Sequence, residues 1–119
     1  MNVSPEQVNI EKIGDVTIVN LIGPLDAAAT PRVRKTIESM PEEALRFIVV
    51  DMAGVSFIDS TGVSVLVSLC KQARGQMGDL VLCSVRGQPK SLLEMLRFDQ
   101  LVEQCADRPA ATAFFEDKV

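Results

Sequence analysis

Phe47-Ile48-Val49-Val50-Asp51-Met52-Ala53-Gly54, followed by Val55-Ser56-Phe57-Ile58-Asp59-Ser60-Thr61-Gly62, is the stretch on which the fold turns. Phe47 to Val50 is a continuous apolar run of strand length, the pattern of a sheet strand covered on both faces. Asp59, Ser60 and Thr61 then supply helix-capping chemistry before a largely apolar segment. That segment is ambiguous by period. Val63, Val65, Val67 and Leu69 alternate, whereas Val63, Leu66, Val67 and Cys70 repeat at helical spacing. Lys71 and Arg74 just before Gly75 have the pattern of a helix end, so a helix is predicted over about Thr61 to Arg74.

Working outward, Val8 and Ile10 alternate with polar residues, Gly14-Asp15 signals a turn, and Val16 to Ile22 is rich in β-branched residues. The two runs are predicted to form a hairpin. Thr30-Pro31 is read as a helix start with Thr30 as the cap, and Val33, Ile37 and Met40 as one apolar stripe ended by Pro41. Downstream, a strand is predicted over Leu80 to Val85, and a helix from Pro89 carrying Leu92, Leu93 and Leu96. A short strand is expected at Leu101-Val102. A terminal helix from Asp107-Pro109 is expected to turn Ala110, Ala113 and Phe114 inward. Together these give an α/β fold: one domain over 1–119, core about 8–115, with a mixed sheet opened by a β-hairpin and alternating helices packed on it.

Composition narrows the function. The 119 residues are 47% hydrophobic and 24% charged, the balance of a single globular domain. Twelve basic against sixteen acidic residues give a net charge of −4, which argues against direct nucleic-acid binding. Without histidine there is no Ser-His catalysis and no His-ligated metal. Cys70, Cys83 and Cys105 are odd in number and lack C-x-x-C spacing, so neither a disulfide framework nor a zinc knuckle is expected. Met1 to Gln7 shows no basic stretch leading into an apolar run, so no leader is expected. No apolar stretch is long enough to span a bilayer. A cytoplasmic protein, monomer or weak dimer, with no cofactor and no metal is expected.

Two readings of Ser60 follow from the same physics. It is a simple capping residue at a helix start, where backbone N–H groups lack partners. Alternatively, it is a phosphoacceptor at a helix N-terminus, whose dipole tolerates a phosphate. Asp26, after the strand ending at Gly23-Pro24, is either a turn carboxylate or a neighbour that the crossover connections bring beside Asp59 and Ser60. An enzyme using Asp26 and Asp59 as a carboxylate pair lacks the other parts such chemistry needs.

Gly23-x-Leu25-Asp26, the buried strand, and Ser56-Phe57-Ile58-Asp59-Ser60-Thr61-Gly62-Val63 resemble the STAS domain family, in particular the bacterial anti-sigma factor antagonists. Gly78 to Cys83 and Leu93-x-x-Leu96-x-Phe98-Asp99 extend the resemblance, which runs from about Val8 to Phe115. It implies a non-enzymatic, phosphorylation-switched binding module. Ser60 would be the phosphoacceptor, with Thr61 the runner-up and Asp26 and Asp59 its acidic neighbours. The implied partners are an anti-sigma factor that is also a GHKL-type serine kinase, and a PP2C-type serine phosphatase. Dephosphorylated, the antagonist binds the kinase and frees a sigma factor; phosphorylation breaks that complex. Ile58, Thr61, Gly62, Val63 and Val65 are the expected partner-binding residues. Pro24 departs from the polar residue common there, and Ser64 and Ser68 are expected to turn partly toward the sheet. The alternative is a structural STAS subunit of a stress-sensing scaffold or lipid-transport complex.

Overall fold

A computed structural model describes residues 8–118; the reading of Met1 to Gln7 lies outside them. The elements run β1 (Val8–Ile13), β2 (Val16–Ile22), α1 (Thr30–Glu38), β3 (Phe47–Gly54), α2 (Ser60–Gly75), β4 (Asp79–Cys83), α3 (Gly87–Met95), β5 (Glu103–Cys105) and α4 (Arg108–Phe114), with one-turn 3-10 helices at Glu42–Leu45 and Phe98–Gln100. The sheet has five strands in the order β1-β2-β3-β4-β5. β1 and β2 pair antiparallel, and the remaining pairs are parallel. Gly14 takes a φ of 60°, the positive value that a two-residue hairpin turn demands.

The unbroken apolarity of β3 has a direct cause. Ile48, Val50 and Met52 enter the larger core under α1, α2 and α3, while Phe47 and Val49 enter a second core under α4. Both faces of the strand are dry, so alternation has nothing to report. Thr17, fully buried on β2, satisfies its hydroxyl by donating to the Ala44 carbonyl at 2.5 Å.

Four expectations need correction. Thr30 does not cap α1: its hydroxyl donates to the Asp26 carbonyl at 2.7 Å, and Ala29 holds the cap position without a side-chain bond. The helix of Pro89 begins two residues earlier, at Gly87, because proline lacks only an N–H that a first turn leaves unpaired anyway. It leaves Leu96 exposed. Leu101 and Val102 belong to a turn, their N–H groups donating to the Phe98 carbonyl, and Val102 is apolar because it enters the core. The last strand instead starts at Glu103.

The fourth correction is the phase of α4. Ala111 and Phe115 face inward and Phe114 packs partly against that core as expected, while Ala110 and Ala113 are exposed. The pairs made by Arg108 agree with this phase. Its Nε donates to Asp51 Oδ2 at 2.6 Å and its Nη1 to Glu11 Oε2 at 2.7 Å, tying α4 to β3 and β1. Residues three and seven beyond it then meet the sheet, and Phe115 packs on Phe47 with ring centroids 5.6 Å apart. Asp51 is 7% exposed and would lose its charged partner if Arg108 were shortened. Arg108→Ala is therefore expected to lower stability by about 1–3 kcal/mol. Urea denaturation followed by circular dichroism checks this; an unchanged midpoint would contradict the tie.

Candidate functional site

The site is built at the carboxyl ends of β2, β3 and β4, where the three connections to α1, α2 and α3 leave the sheet. Crevices outside the carboxyl ends of parallel strands are where open α/β sheets place ligands and partners. Two of these connections are held together as a short extension of the sheet. Gly23 N–H donates to the Gly54 carbonyl at 2.7 Å, Leu25 N–H to Phe57 O at 2.8 Å, and Asp59 N–H to Leu25 O at 3.3 Å. Leu25 and Ile58 form an isolated parallel bridge. Asp26 and Asp59 each follow one member of that bridge, so the crossovers do bring the two segments side by side.

Asp59 is the hub. Its Oδ1 accepts from Thr61 N–H at 2.9 Å, Gly62 N–H at 3.1 Å and the Thr61 hydroxyl at 2.6 Å. Its Oδ2 accepts from Ala27 N–H at 3.2 Å, across to the β2–α1 loop. The Thr61 hydroxyl bond, then the Gly62 amide, hold the Asp59 carboxyl below its usual range against a smaller desolvation. Asp26 performs the matching task in its own loop, its Oδ1 accepting from Ala28 and Ala29 N–H at 3.1 and 3.0 Å. Both acidic residues are thus committed to backbone amides. Neither makes a hydrogen bond to the Ser60 hydroxyl among the described residues.

The hydroxyls at the head of α2 differ sharply. Ser60 is exposed, and among the described residues its hydroxyl has no hydrogen-bond partner. Thr61 is half-buried, donates to Asp59, and lies 3.3 Å from the Thr30 hydroxyl. Ser64 and Ser68 are also exposed, so the expectation that they turn toward the sheet is wrong; Ser64 donates to the Ser60 carbonyl at 3.1 Å. The helix end is less open to a phosphate than the sequence suggested, because Asp59 already occupies the Thr61 and Gly62 donors. A phosphate on Ser60 would stand out toward solvent beside an existing negative charge.

The expected contact set divides. Ile58 and Val65 are 0% and 1% exposed, and Gly62 is buried, so all three are core and cannot meet a partner directly. Thr61 and Val63 are half-buried. Phe57, 43% exposed and two residues from Asp59, is an apolar side chain that does reach the surface here. Gly62 has a packing reason: a Cβ there would run into the Leu25 carbonyl oxygen. Sequence reasoning missed Gln88 altogether. Its Oε1 accepts from Ile58 N–H and its Nε2 donates to Ile58 O, both at 2.9 Å, so α3 grips the backbone one residue before Asp59. No local pattern around Arg86-Gly87-Gln88-Pro89 signals that role.

A family model for the STAS domain matches residues 7–111. The chain belongs to the STAS domain family. Among curated relatives, this STAS domain is 26% identical over 110 residues to BtrV of Bordetella bronchiseptica, named as a candidate anti-sigma factor antagonist, covering 92% of this chain and 95% of that one. It is 28% identical over 103 residues to the anti-sigma-B factor antagonist of Listeria monocytogenes, covering 87% and 89%. Among solved structures it matches the anti-sigma factor antagonist SpoIIAA in its unphosphorylated form with a TM-score of 0.70 at 16% identity, covering 94% and 99%. The fold is therefore the STAS fold, and no helix among the described residues is long and apolar enough to cross a membrane.

Two outcomes follow for the site. The Asp59 clamp is full strength above the ordinary aspartate value of 3.8 and is lost as pH falls through the lowered folded value. Thermal melting between pH 3 and pH 6 is expected to show an acid-side loss of stability that Asp59→Asn reduces; identical acid limbs would contradict the clamp. Gly62→Ala is expected to cost about 1–3 kcal/mol through overpacking against Leu25, read as a lower urea midpoint than Ser64→Ala gives.

Proposed function

We propose that this STAS domain is an anti-sigma factor antagonist switched by phosphorylation of Ser60. The observation that carries the reading is the contrast at the head of α2: an exposed, unbonded Ser60 hydroxyl beside a Thr61 hydroxyl held by Asp59. A kinase must approach the acceptor oxygen from solvent, and only the first of these two offers it. The partner is a GHKL-type serine kinase that also holds a sigma factor, and a PP2C-type serine phosphatase resets the switch. The protein acts in the cytoplasm as the substrate of the kinase, without a cofactor of its own. Asp59 and Asp26 shape the surface rather than remove the Ser60 proton, since both carboxylates are already engaged by backbone amides. The general base and the nucleotide site belong to the kinase.

The physical effect of the switch is local. Phosphorylation adds about −1.5 to −2 charge at pH 7, carrying a chain of net charge −4 further negative. The Thr61 and Gly62 amides that would neutralise a phosphate are held by Asp59. The added charge therefore falls on the partner surface, where repulsion and desolvation weaken the complex. Phe57, Val63 and Thr61 are the residues proposed to meet the partner, beside the shallow groove between α1 and α2 lined by Ala27, Thr30, Arg34 and Ser64.

Incubation with the cognate kinase and Mg-ATP, followed by phosphosite mapping, tests the acceptor. Ser60→Ala is expected to abolish incorporation, and Thr61→Val to retain it; full incorporation into Ser60→Ala would refute the assignment. Ser60→Asp is expected to weaken kinase binding at least tenfold by calorimetry, and unchanged affinity would contradict the repulsion mechanism. Co-purification as a permanent stoichiometric subunit of a scaffold or transporter would instead mark a structural STAS role.

A further inference from the structure

Cys83 ends β4, Cys105 ends β5, and the two are register partners in that parallel ladder. Neighbouring strands lie about 4.7–4.9 Å apart, inside the Cα separation of roughly 4.4–6.8 Å that a disulfide accepts. Register partners project to the same side of a sheet, here the side covered by α4. Cys83 is fully buried in the cluster that contains Ala111 and Phe115, and Cys105 is half-buried against it. Cys70 belongs to the opposite core. The strand ends are also pinned to each other: Ser84, at a left-handed φ of 60°, donates its N–H to the Cys105 carbonyl at 3.3 Å. β5 is a three-residue edge strand, so it can move toward β4 to bring the sulfurs together without displacing an outer neighbour.

We propose that Cys83 and Cys105 are a redox modification site, forming an intramolecular disulfide across the β4–β5 pair under peroxide. In the first step the half-buried Cys105, as its thiolate, attacks hydrogen peroxide; its released proton goes to the departing hydroxide, giving a sulfenic acid and one water. The Cys83 sulfur then displaces the sulfenic oxygen, which takes the Cys83 proton and leaves as a second water while the S–S bond forms. Two thiols are oxidised and one peroxide is reduced. Burial, with the Asp51 charge adding, pushes the Cys83 thiol up to about 11, and burial with Glu103 raises that of Cys105. Thiolate is scarce, so the bond accumulates under sustained oxidant rather than in a rapid burst. It closes the loop of residues 83–105, which carries α3 and the Gln88 grip on Ile58. The site is independent of any chemistry at Ser60.

The full chain, reduced and then exposed to hydrogen peroxide, is alkylated with iodoacetamide under denaturing conditions and mapped by mass spectrometry. The expected result is a peptide joining Cys83 to Cys105, with only Cys70 alkylated, a raised Tm, and reversal of both by dithiothreitol. Cys70→Ala is expected to retain the cross-link and Cys105→Ser to lose it. Recovery of Cys83 in alkylated form after treatment would overturn the proposal. So would Cys105 found as sulfinic acid or joined only to a second chain.

Discussion

One carboxylate, that of Asp59, organises the end of the molecule where the candidate site lies. It bonds the first amides of α2 with one oxygen and the Ala27 amide of the preceding crossover with the other. A helix start leaves N–H groups unpaired, and a carboxylate at that point is favoured by both hydrogen bonding and the helix dipole. By reaching two segments it also fixes the β2–α1 loop against α2. Gly62 allows that approach, because any larger residue would press on the Leu25 carbonyl. Gln88 adds a third crossover by holding both backbone groups of Ile58.

The same bonds determine which hydroxyl is available. Thr61 turns in and spends its proton on Asp59, while Ser60, one residue earlier, is carried outward. The proposed acceptor, Ser60, would gain a charge without disturbing the hydrogen bonds that hold its own helix. On the proposed reading the fold serves as a platform, and the effect of modification would be felt at the surface. Below the platform, the core of each sheet face is separately closed. α1, α2 and α3 cover one face, and α4 covers the other, anchored by the Arg108 pairs to Asp51 and Glu11.

Much of this was readable in the chain because it rests on local rules. The hairpin announces itself through Gly14-Asp15 between β-branched runs, and β3 through an apolar run bounded by a turn. α2 announces itself through Asp59-Ser60-Thr61 ahead of helical spacing. What escaped depends on distant partners. Glu103 and Gln104 form an edge strand with no apolar signal, whereas Leu101-Val102 is apolar because Val102 reaches the core from a turn. The phase of α4 shows in Phe115 packing on Phe47 and in Arg108 meeting Asp51 on β3, partners that lie far away in the chain. Ile58 and Val65 looked like a contact surface, but the sheet and neighbouring helices consume them. Gln88 acts across thirty residues of sequence through its amide, a role that composition does not mark.

The shared Asp59 carboxylate is tested most directly by following backbone amide chemical shifts through an acid titration of the 15N-labelled chain. Ala27, Thr61 and Gly62 are expected to titrate together, with one midpoint below the ordinary aspartate value of 3.8. An Ala27 amide that does not respond, or a common midpoint at or above that value, would contradict the clamp and with it the placement of Ser60.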